Sequence, residues 1–357
     1  MSPVSFTEIP TIDLSLASSP ATEPVLLSRL RHALVNVGFL YVVNHGVPEK
    51  TVSDVVDALP RLFALPAEAK NEIALSNSPH FLGYSGDGSE MTAGKYDRRE
   101  QVEFATELED GWREGLPLRE RLRGPNQWPS AYPALRRVIE SYISEMTLLG
   151  ERFLGLVAKA LSLPSDTFLR FLSDQHRLKL VRYPALSESE SGSQGVGPHK
   201  DSSGWWTFLL QASPPRVGGL QALNKDGDWI DVPVVPGSFV VNIGQAFEVV
   251  TGGLCKATTH RVLSGQAERF SVPFFQGVRR DLTKEEVMAS LRGHFERDDI
   301  RGLASESEEG REVDSSFLKG KYDTWGESQL RTKIRSHRDV GQKFYGKVYD
   351  RYLTDDQ

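Results

Sequence analysis

The sequence predicts an α+β fold in which a mainly β core of the jelly-roll kind is flanked by helices. Apolar residues recur at helical spacing in parts of the first 163 residues. Residues 178–277 instead contain short runs of β-branched and aromatic residues, broken by Gly, Pro, Asn and Asp. No internal repeat or linker-like stretch separates the two regions. We therefore expect the 357 residues to fold as one domain around a shared core.

Three segments with helical periodicity are expected to pack against the β core. The first spans residues 22–37 and should end at Gly38, because glycine readily adopts the left-handed conformation that follows a helix. The second spans residues 49–65, with a local kink expected at Pro60. The third and longest covers residues 131–163, where apolar side chains recur every three or four positions.

Seven short segments after residue 177 have the composition of β-strands. They read LKLVRY, WWTFLLQ, GLQALN, WIDV, SFVVNI, HRVL and FSVPFFQ. Asp226 and Gly227 form a turn signal between two of them, since Asp-Gly strongly favours a hairpin. Pro273 lies inside the last segment, which predicts an edge strand or a bulge. Many short strands at this spacing are typical of a sandwich or barrel of the jelly-roll kind.

Composition argues against several classes of partner. The net charge is −6 and no long block of Lys and Arg is present, which argues against nucleic-acid binding. No stretch approaches the roughly 20 apolar residues of a membrane span, and the first residues do not resemble a secretory signal. The single cysteine, Cys255, excludes an intrachain disulfide and a multi-cysteine zinc site. We expect a cytoplasmic protein, and a monomer because no coiled-coil or repeat pattern is visible.

Three residues have the side chains of a metal site. His199 and Asp201 are one residue apart at the start of an apolar segment, and alternation along a strand would put both on one face. His260 follows after several further predicted strands, which gives the chain room to return to the same place. Two imidazoles and a carboxylate form the facial triad that binds non-haem Fe(II) and leaves coordination positions open. If His199 and Asp201 are considered without His260, the alternative to a metal site is a pair of polar surface residues.

Arg269 and Ser271 form a second polar pair beyond His260. They alternate along a predicted strand and should therefore share one face. A guanidinium beside a hydroxyl is a good receptor for a carboxylate. Next to the metal residues, this pair predicts a cosubstrate that carries a carboxylate.

These motifs, taken in order, resemble a known family. The matching segments are IPTIDLS, VGFLYVVNHGVP, LFALPAEAK, LVRYPA, the HKD segment, VGGLQAL, VPGSFVVNIG, THRV and RFSVPFF. Together they resemble the isopenicillin-N-synthase-like Fe(II)/2-oxoglutarate-dependent oxygenases over nearly the whole chain. The resemblance divides the expected single catalytic domain into a family region at 8–115, the long helix at 131–163, a jelly-roll core at 174–280 and a helical region at 281–357.

The resemblance implies a fold, cofactors and a reaction. The core would be a double-stranded β-helix with Fe(II) at His199, Asp201 and His260. The cosubstrate 2-oxoglutarate would be held by Arg269 and Ser271, and Tyr183 would reach it as well. With O2, such enzymes convert 2-oxoglutarate into succinate and CO2 while they hydroxylate, desaturate or cyclise a small organic molecule.

Four residues are candidates for contact with the substrate. Phe275 should share the face of Ser271, and residues 88–104 resemble a loop in a branch that includes the bacterial ethylene-forming enzyme. In that branch the position of Glu90 contacts a cationic amino acid, and Thr92 belongs to the same pattern. Arg331, in a C-terminal helical segment, is a candidate for binding a substrate carboxylate.

Other functions fit part of this pattern. One is an oxidative cyclase that does not use 2-oxoglutarate, with Arg269 and Ser271 binding the substrate instead. A second is an ethylene-forming activity on an amino acid. The other two are a jelly-roll binding protein without catalysis and a zinc hydrolase with the same three ligands, which would need a general base near the metal.

Overall fold

The computed structural model describes residues 5–92, 94–190, 192–202, 204–302, 315–319 and 321–354. The strands are β1 Thr11–Asp13, β2 Phe39–Val43, β3 Gly83–Ser85, β4 Met91–Thr92, β5 Lys95–Tyr96, β6 Glu100–Ala105, β7 Arg177–Tyr183, β8 Gln194–His199, β9 Gly204–Gln211, β10 Leu220–Leu223, β11 Trp229–Asp231, β12 Ser238–Ile243, β13 His260–Leu263 and β14 Arg269–Gly277. The helices are α1 Glu23–His32, α2 Glu49–Phe63, α3 Ala67–Glu72, α4 Leu135–Ala160, α5 Gln245–Val250, α6 Lys284–Ser290, α7 Arg292–Phe295, α8 Asp298–Arg301, α9 Ser316–Lys319, α10 Trp325–Ser336 and α11 Arg338–Thr354.

The predicted jelly-roll core is confirmed. The major sheet has eight strands in the order β1-β2-β12-β9-β14-β7-β6-β3, and the minor sheet has four in the order β11-β10-β13-β8. The strands β7–β14 are divided equally between the two sheets, as in a double-stranded β-helix. Apart from the parallel pair β1 and β2, the strand pairs within both sheets are antiparallel.

The N-terminal region extends the major sheet on both sides of the jelly roll. β2 pairs with β12 at one side, and β6 pairs with β7 at the other. β1 and β3 then form the two edges. The regions at 8–115 and 174–280 therefore both contribute strands to the major sheet.

The expected helices flank the major sheet. α4 packs against β14, and α2 packs against β7 and α4. The first helix continues as a π-helical turn over residues 33–37 and ends at Gly38, whose φ of 73° is the left-handed conformation predicted from sequence. A side chain at Gly38 would also collide with the carbonyl oxygen of Lys256. The longest helix begins at Leu135, four residues after the predicted start.

The structure corrects two expectations. Residues 88–104 were expected to form a loop, but they contain the hairpin β4–β5 and most of β6, a fully buried strand. Its sequence EQVEFA looks polar because it contains two glutamates. These carboxylates can nevertheless be buried, because each is paired with a cation. Pro273 was expected at an edge or a bulge, but β14 lies inside the major sheet between β9 and β7. The irregularity in β14 instead falls after Phe275.

Two further expectations, one about the Asp226-Gly227 turn and one about Cys255, agree with the structure. Asp226 and Gly227 lie in the turn between the antiparallel strands β10 and β11, and Gly227 has a φ of 89°. Cys255 is fully buried, as expected for a small apolar residue. Within the described residues, no helix is both long and apolar enough to cross a membrane.

Candidate active site

His199, Asp201 and His260 lie together between the two sheets. His199 ends β8 and His260 begins β13, and these two residues are paired across the minor sheet. Asp201 lies in the loop after β8, beyond the strand on which it was expected. One ligand atom from each residue lies within 4.8 Å of the others. The structure therefore brings the three predicted ligands into one cluster.

The two imidazoles are oriented by backbone carbonyls. Nδ1 of His199 is 2.8 Å from the carbonyl oxygen of Gly197, and Nδ1 of His260 is 3.1 Å from that of Thr258. If each Nδ1 carries the proton and donates to its carbonyl, each Nε2 keeps a free lone pair. The two Nε2 atoms face Oδ1 of Asp201, at 3.5 Å and 3.7 Å. This is the usual way in which a protein fixes metal-binding histidines.

The major sheet holds the Asp201 carboxylate in place. Thr207 on β9 and Asn242 on β12 both donate hydrogen bonds to its Oδ2, the latter over 2.7 Å. Burial by itself would raise the pKa of the Asp201 carboxyl. The neighbouring His260 and His199 and the hydrogen bond from Thr207 instead hold that pKa far below its usual range. The carboxylate is thus an anionic ligand whose Oδ1 points toward both histidines.

Arg269, Ser271 and Tyr183 converge on the neighbouring strands β14 and β7 of the major sheet. Arg269 and Tyr183 are paired between β14 and β7, and the guanidinium lies 4.9 Å from the centre of the tyrosine ring. Nη2 of Arg269 donates to Oε1 of Gln211 over 3.2 Å. Ser271 is buried two residues further along β14 and lines the same cavity.

Arg269 is a buried cation without a carboxylate partner among the described residues. Its side chain is nearly inaccessible, and its Nε and Nη1 atoms make no hydrogen bond with the residues that the structure describes. Burial lowers the pKa of this guanidinium. A buried charge with unfilled donors is costly unless a ligand completes it. The Arg269 side chain lines a cavity and therefore suits the carboxylate of a cosubstrate.

The residues present fit an Fe(II) ion and 2-oxoglutarate. The cluster offers two neutral imidazole nitrogens and one carboxylate oxygen, the ligand set of a facial triad. Along β9, Thr207 anchors Asp201 and Gln211 anchors Arg269. These two positions are four residues apart, or roughly 13 Å along a strand. A short dicarboxylate can lie between them with one end at the metal residues and the other at Arg269.

A cavity of about 290 Å³ contains both groups. β7 and β14 contribute the inward-facing residues of the major sheet, and α10 covers another side with Gln329, Thr332, Lys333 and Ser336. Gln329 donates to the carbonyl oxygen of Ser202 over 2.6 Å, which ties α10 to the loop after the metal residue Asp201. The C-terminal helical region therefore forms one side of the cavity.

Three of the four predicted substrate residues line this cavity. Glu90 is buried there, with Nη2 of Arg99 at 2.5 Å and Nε2 of His337 at 2.8 Å from its carboxylate oxygens. Thr92 also lines it and donates to Asp97 over 2.8 Å. Phe275 lies on the inner face of β14, as its spacing from Ser271 predicted.

Arg331 does not line the cavity. The inward face of α10 carries residues 329, 332, 333 and 336, which recur at helical spacing, and residue 331 lies off that face. Arg331 lines an outer groove next to the cavity instead. Contact between Arg331 and a substrate in the cavity is thus not supported by its position.

Sequence reasoning missed several polar residues of the site. Thr207, Gln211 and Asn242 position the metal and cosubstrate residues, and Lys179 and Lys333 add charge to the cavity wall. Thr207 and Gln211 did leave a signal, since they are the polar positions of the apolar segment WWTFLLQ. The two lysines left none, because a lysine in a polar or amphipathic segment is most often exposed.

Comparisons with known proteins agree with this site. Residues 9–131 match the family model described as the N-terminal region of non-haem dioxygenase in morphine synthesis. Residues 174–278 match the model of the 2OG-Fe(II) oxygenase superfamily. The 2-oxoglutarate-dependent dioxygenase frbJ of Dothideomycetidae sp. (strain 11243) is 44% identical over 348 residues, which cover 96% of this chain and 93% of that protein. Homoarginine-6-hydroxylase 2-ODD-C23 of Glycine max is 31% identical and covers 78% of this chain and 88% of its own.

Solved structures show the same architecture. Full-length Neurospora crassa T7H, in complex with alpha-KG and 5-formyluracil, has a TM-score of 0.72 at 22% identity, covering 92% of this chain and 96% of that one. This similarity concerns the fold alone. JOX2 in complex with 2OG, Fe and JA has a TM-score of 0.64 at 30% identity, covering 77% and 76%.

The chain therefore belongs to the 2OG-Fe(II) oxygenase superfamily. It is an Fe(II)- and 2-oxoglutarate-dependent dioxygenase, and its cofactors are iron and the cosubstrate 2-oxoglutarate.

Proposed function

We propose that this dioxygenase hydroxylates a small organic molecule bound in the cavity between the two sheets. His199, Asp201 and His260 would hold Fe(II), while Arg269, Ser271 and Tyr183 would bind 2-oxoglutarate. The observation that carries these roles is the buried Arg269, which has unfilled donors and lines the same cavity as the metal cluster. Iron(II) with 2-oxoglutarate and O2 supplies the oxidising chemistry that inserts oxygen into a C–H bond.

The chain's own residues would orient the reactants and exclude water. Thr207 and Asn242 keep the Asp201 carboxylate turned toward the histidines. Gln211 fixes the guanidinium of Arg269, so that its free edge is preset for a carboxylate. Glu90, Thr92 and Phe275 would form part of the substrate wall. α10 would limit the access of water while the substrate is oxidised.

A second candidate is hydroxylation of a guanidino amino acid. The observation that favours it is the buried Glu90 on the cavity wall, together with similarity to the homoarginine-6-hydroxylase of Glycine max. Against it, both carboxylate oxygens of Glu90 already have nitrogen neighbours at 2.5 to 2.8 Å. A substrate cation would have to displace one of them.

Succinate formation tests the proposed function. The purified protein would be incubated in air with Fe(II), ascorbate and 2-oxoglutarate, with homoarginine or a panel of organic acids as added substrate. We expect succinate from the intact protein and at least tenfold slower succinate formation by the Arg269→Gln variant at the same subsaturating 2-oxoglutarate concentration. Oxidation of a substrate without succinate would instead indicate the oxidase that does not use 2-oxoglutarate.

We also propose, from the sequence, that the enzyme is a cytoplasmic monomer consisting of one catalytic domain. Light scattering during size-exclusion chromatography measures the mass in solution, and a value near twice that of one chain would contradict a monomer.

A further inference from the structure

One wall of the cavity carries more positive than negative charge. Four basic residues line it, Arg99, Arg177, Lys179 and Lys333, together with two carboxylates, Glu90 and Glu103. Asp97 does not line the cavity but contacts Arg99 at 3.2 Å. With Asp97 included, four cations against three carboxylates leave an excess of one positive charge, before any charge on His337. Buried charge of one sign is costly unless an anion offsets it.

Three of these four cations donate a hydrogen bond to a carboxylate of the protein. Arg177 donates to Glu103 and to three backbone carbonyls. Lys333 donates to both carboxylate oxygens of Glu103, over 2.7 and 2.8 Å. Arg99 contacts Glu90 at 2.5 Å and Asp97 at 3.2 Å.

Lys179 differs from the other three. Its Nζ is 3.7 Å from Oε1 of Glu90 and 3.8 Å from Oε2 of Glu103, too far for a hydrogen bond with either. It makes no hydrogen bond with any other residue that the structure describes, and its side chain is only 15% exposed. An ammonium group has three donors. Lys179 therefore offers charge and unfilled donors to the cavity.

The position of Lys179 separates it from the cosubstrate site. On β7, Lys179, Val181 and Tyr183 share the inner face, and Tyr183 is paired with Arg269. Lys179 thus lies four residues, or roughly 13 Å, from the end of the sheet that would hold 2-oxoglutarate. It is also two strands, or about 10 Å, across the sheet from β9, where Thr207 anchors the metal ligand Asp201. An anion at Lys179 would leave room for its own carbon skeleton beside the metal residues.

We infer that the substrate carries a carboxylate and that Lys179 binds it. This inference rests on the proposed function and defines the substrate class of that site. The substrate is an organic acid, distinct from 2-oxoglutarate, whose carboxylate fills the donors that the protein leaves open. Glu90 and Glu103 hold the ammonium in place between them and are not themselves free to receive a substrate cation.

The outer groove supports an anionic ligand as well. It adjoins the cavity, sharing Thr332, Ser336 and His337 with it, and three arginines line it against one aspartate. Those residues are Arg331, Arg335, Arg338 and Asp339. A basic groove beside the cavity raises the local concentration of anions. Met91 and Tyr96 are exposed on the β4–β5 hairpin at the same groove and suit the apolar part of an acid.

Matched acids and amides test the inference. Anaerobic enzyme loaded with Fe(II) and saturating 2-oxoglutarate would be titrated with hexanoate, octanoate and 4-phenylbutanoate, and with the primary amide of each. Binding next to the iron is read from the change in its visible spectrum. We expect at least one acid to bind about tenfold or more tightly than its amide, because a charge-assisted hydrogen bond is stronger than a neutral one.

The Lys179→Met variant separates recognition from packing. We expect this variant to lose the preference for the acid while its affinity for the amide changes less than about twofold, and we expect Lys179→Arg to keep the preference. A purely structural role of Lys179 would not change the ratio of the two affinities. The matched control is Lys347→Met, since Lys347 is 85% exposed and far from the cavity lining.

Equal affinity for acid and amide in the intact enzyme would overturn the inference. So would the absence of binding by every acid, or a preference that survives in Lys179→Met. The spectrum before any probe is added tests the proposed function separately, because it reports iron and 2-oxoglutarate alone. Loss of that spectrum in Lys179→Met would show that the lysine supports the cosubstrate site and would also overturn the inference.

Discussion

The functional side chains of this site are held in place by hydrogen bonds with residues on β9 and β12. The Asp201 carboxylate is held by Thr207 and Asn242, and the Arg269 guanidinium is held by Gln211. All of the residues in these pairs are buried or nearly so, which makes each hydrogen bond strong and each unfilled donor costly. The chemistry of the site therefore follows from a few fixed partners rather than from flexible surface groups.

Arg269 gives the first prediction at this scale. In Arg269→Gln, we expect the affinity for 2-oxoglutarate to fall by at least tenfold while iron still binds, because the amide cannot supply a charged, bidentate donor. Titration of the iron-loaded protein with 2-oxoglutarate measures the change. Arg136→Gln is the matched control, since Arg136 is half exposed and pairs with Glu140 on α4. Equal 2-oxoglutarate affinity in the intact protein and Arg269→Gln would refute this role.

Thr207 gives the second prediction. Thr207→Val keeps the shape of the side chain and removes the donor to Asp201. We expect the affinity for Fe(II) to fall roughly tenfold, within the range seen when a partner of a metal ligand is lost. Competition with a coloured chelator measures the affinity, and Thr147→Val on α4 is the control. Unchanged iron binding in Thr207→Val would show that Asn242 alone suffices to hold the carboxylate.

At the scale of elements, the contact between β6, β7 and α10 determines the shape of the cavity. Glu103 on β6 is almost completely buried, and it accepts hydrogen bonds from Arg177 on β7 and Lys333 on α10. Burial lowers the pKa of the Lys333 ammonium to about 8, even though Glu103 favours its charged form. The sequence did not predict this arrangement, because β6 has the composition of a polar loop and its partners lie 74 and 230 residues away.

Removing the Glu103 charge should destabilise this contact. In Glu103→Gln, Arg177, Lys179 and Lys333 keep their charges but lose a shared anion. Breaking a buried ion pair by removing one partner costs about 3–5 kcal/mol, and we expect the free energy of unfolding to fall by that amount. Urea unfolding at pH 7 measures it. Glu114→Gln, at a carboxylate that is 87% exposed, should change stability by less than about 0.5 kcal/mol.

The Glu103 carboxylate should also make the free energy of unfolding depend on pH. Burial alone would raise the pKa of Glu103, but the charges of Lys333 and Arg177 hold it well below its ordinary value of 4.5. Below pH 4.5 the unfolded chain therefore takes up a proton that the folded protein does not, and the free energy of unfolding falls as the pH falls. The decline between pH 6 and pH 3.5 should be shallower in Glu103→Gln than in the intact protein. Parallel profiles would contradict this assignment.

At the scale of the whole molecule, local patterns predicted the fold better than they predicted the cavity. The segments SFVVNI and HRVL became β12 and β13 with the predicted bounds, because β-branched composition and turn residues are local signals. Asp226 and Gly227 likewise formed the expected turn. The cavity instead requires strands and a helix distant in sequence, so Lys179 and Lys333 could not be assigned to it, whereas Arg331, a candidate for binding a substrate carboxylate, lies outside its lining.

The placement of the N-terminal strands in the sheet also could not be predicted from local sequence patterns. The resemblance indicated that residues 8–115 belong to the catalytic fold, but only the structure shows that β2 and β6 continue the major sheet on opposite sides of the jelly roll. β6 also delivers Glu103 to the cavity. Regions outside the jelly roll thus supply part of the proposed substrate wall, whereas the proposed metal and cosubstrate residues all lie within residues 174–280.

The most direct test of this account is the visible spectrum of the anaerobic protein with Fe(II) and 2-oxoglutarate. A cosubstrate chelated to iron gives a weak charge-transfer band. We expect that band in the intact protein and its absence in His199→Ala, which lacks one ligand of the cluster. An intact protein that binds iron without developing the band would contradict the assignment of Arg269, Ser271 and Tyr183 to 2-oxoglutarate. An intact protein that binds no iron would contradict the metal site itself.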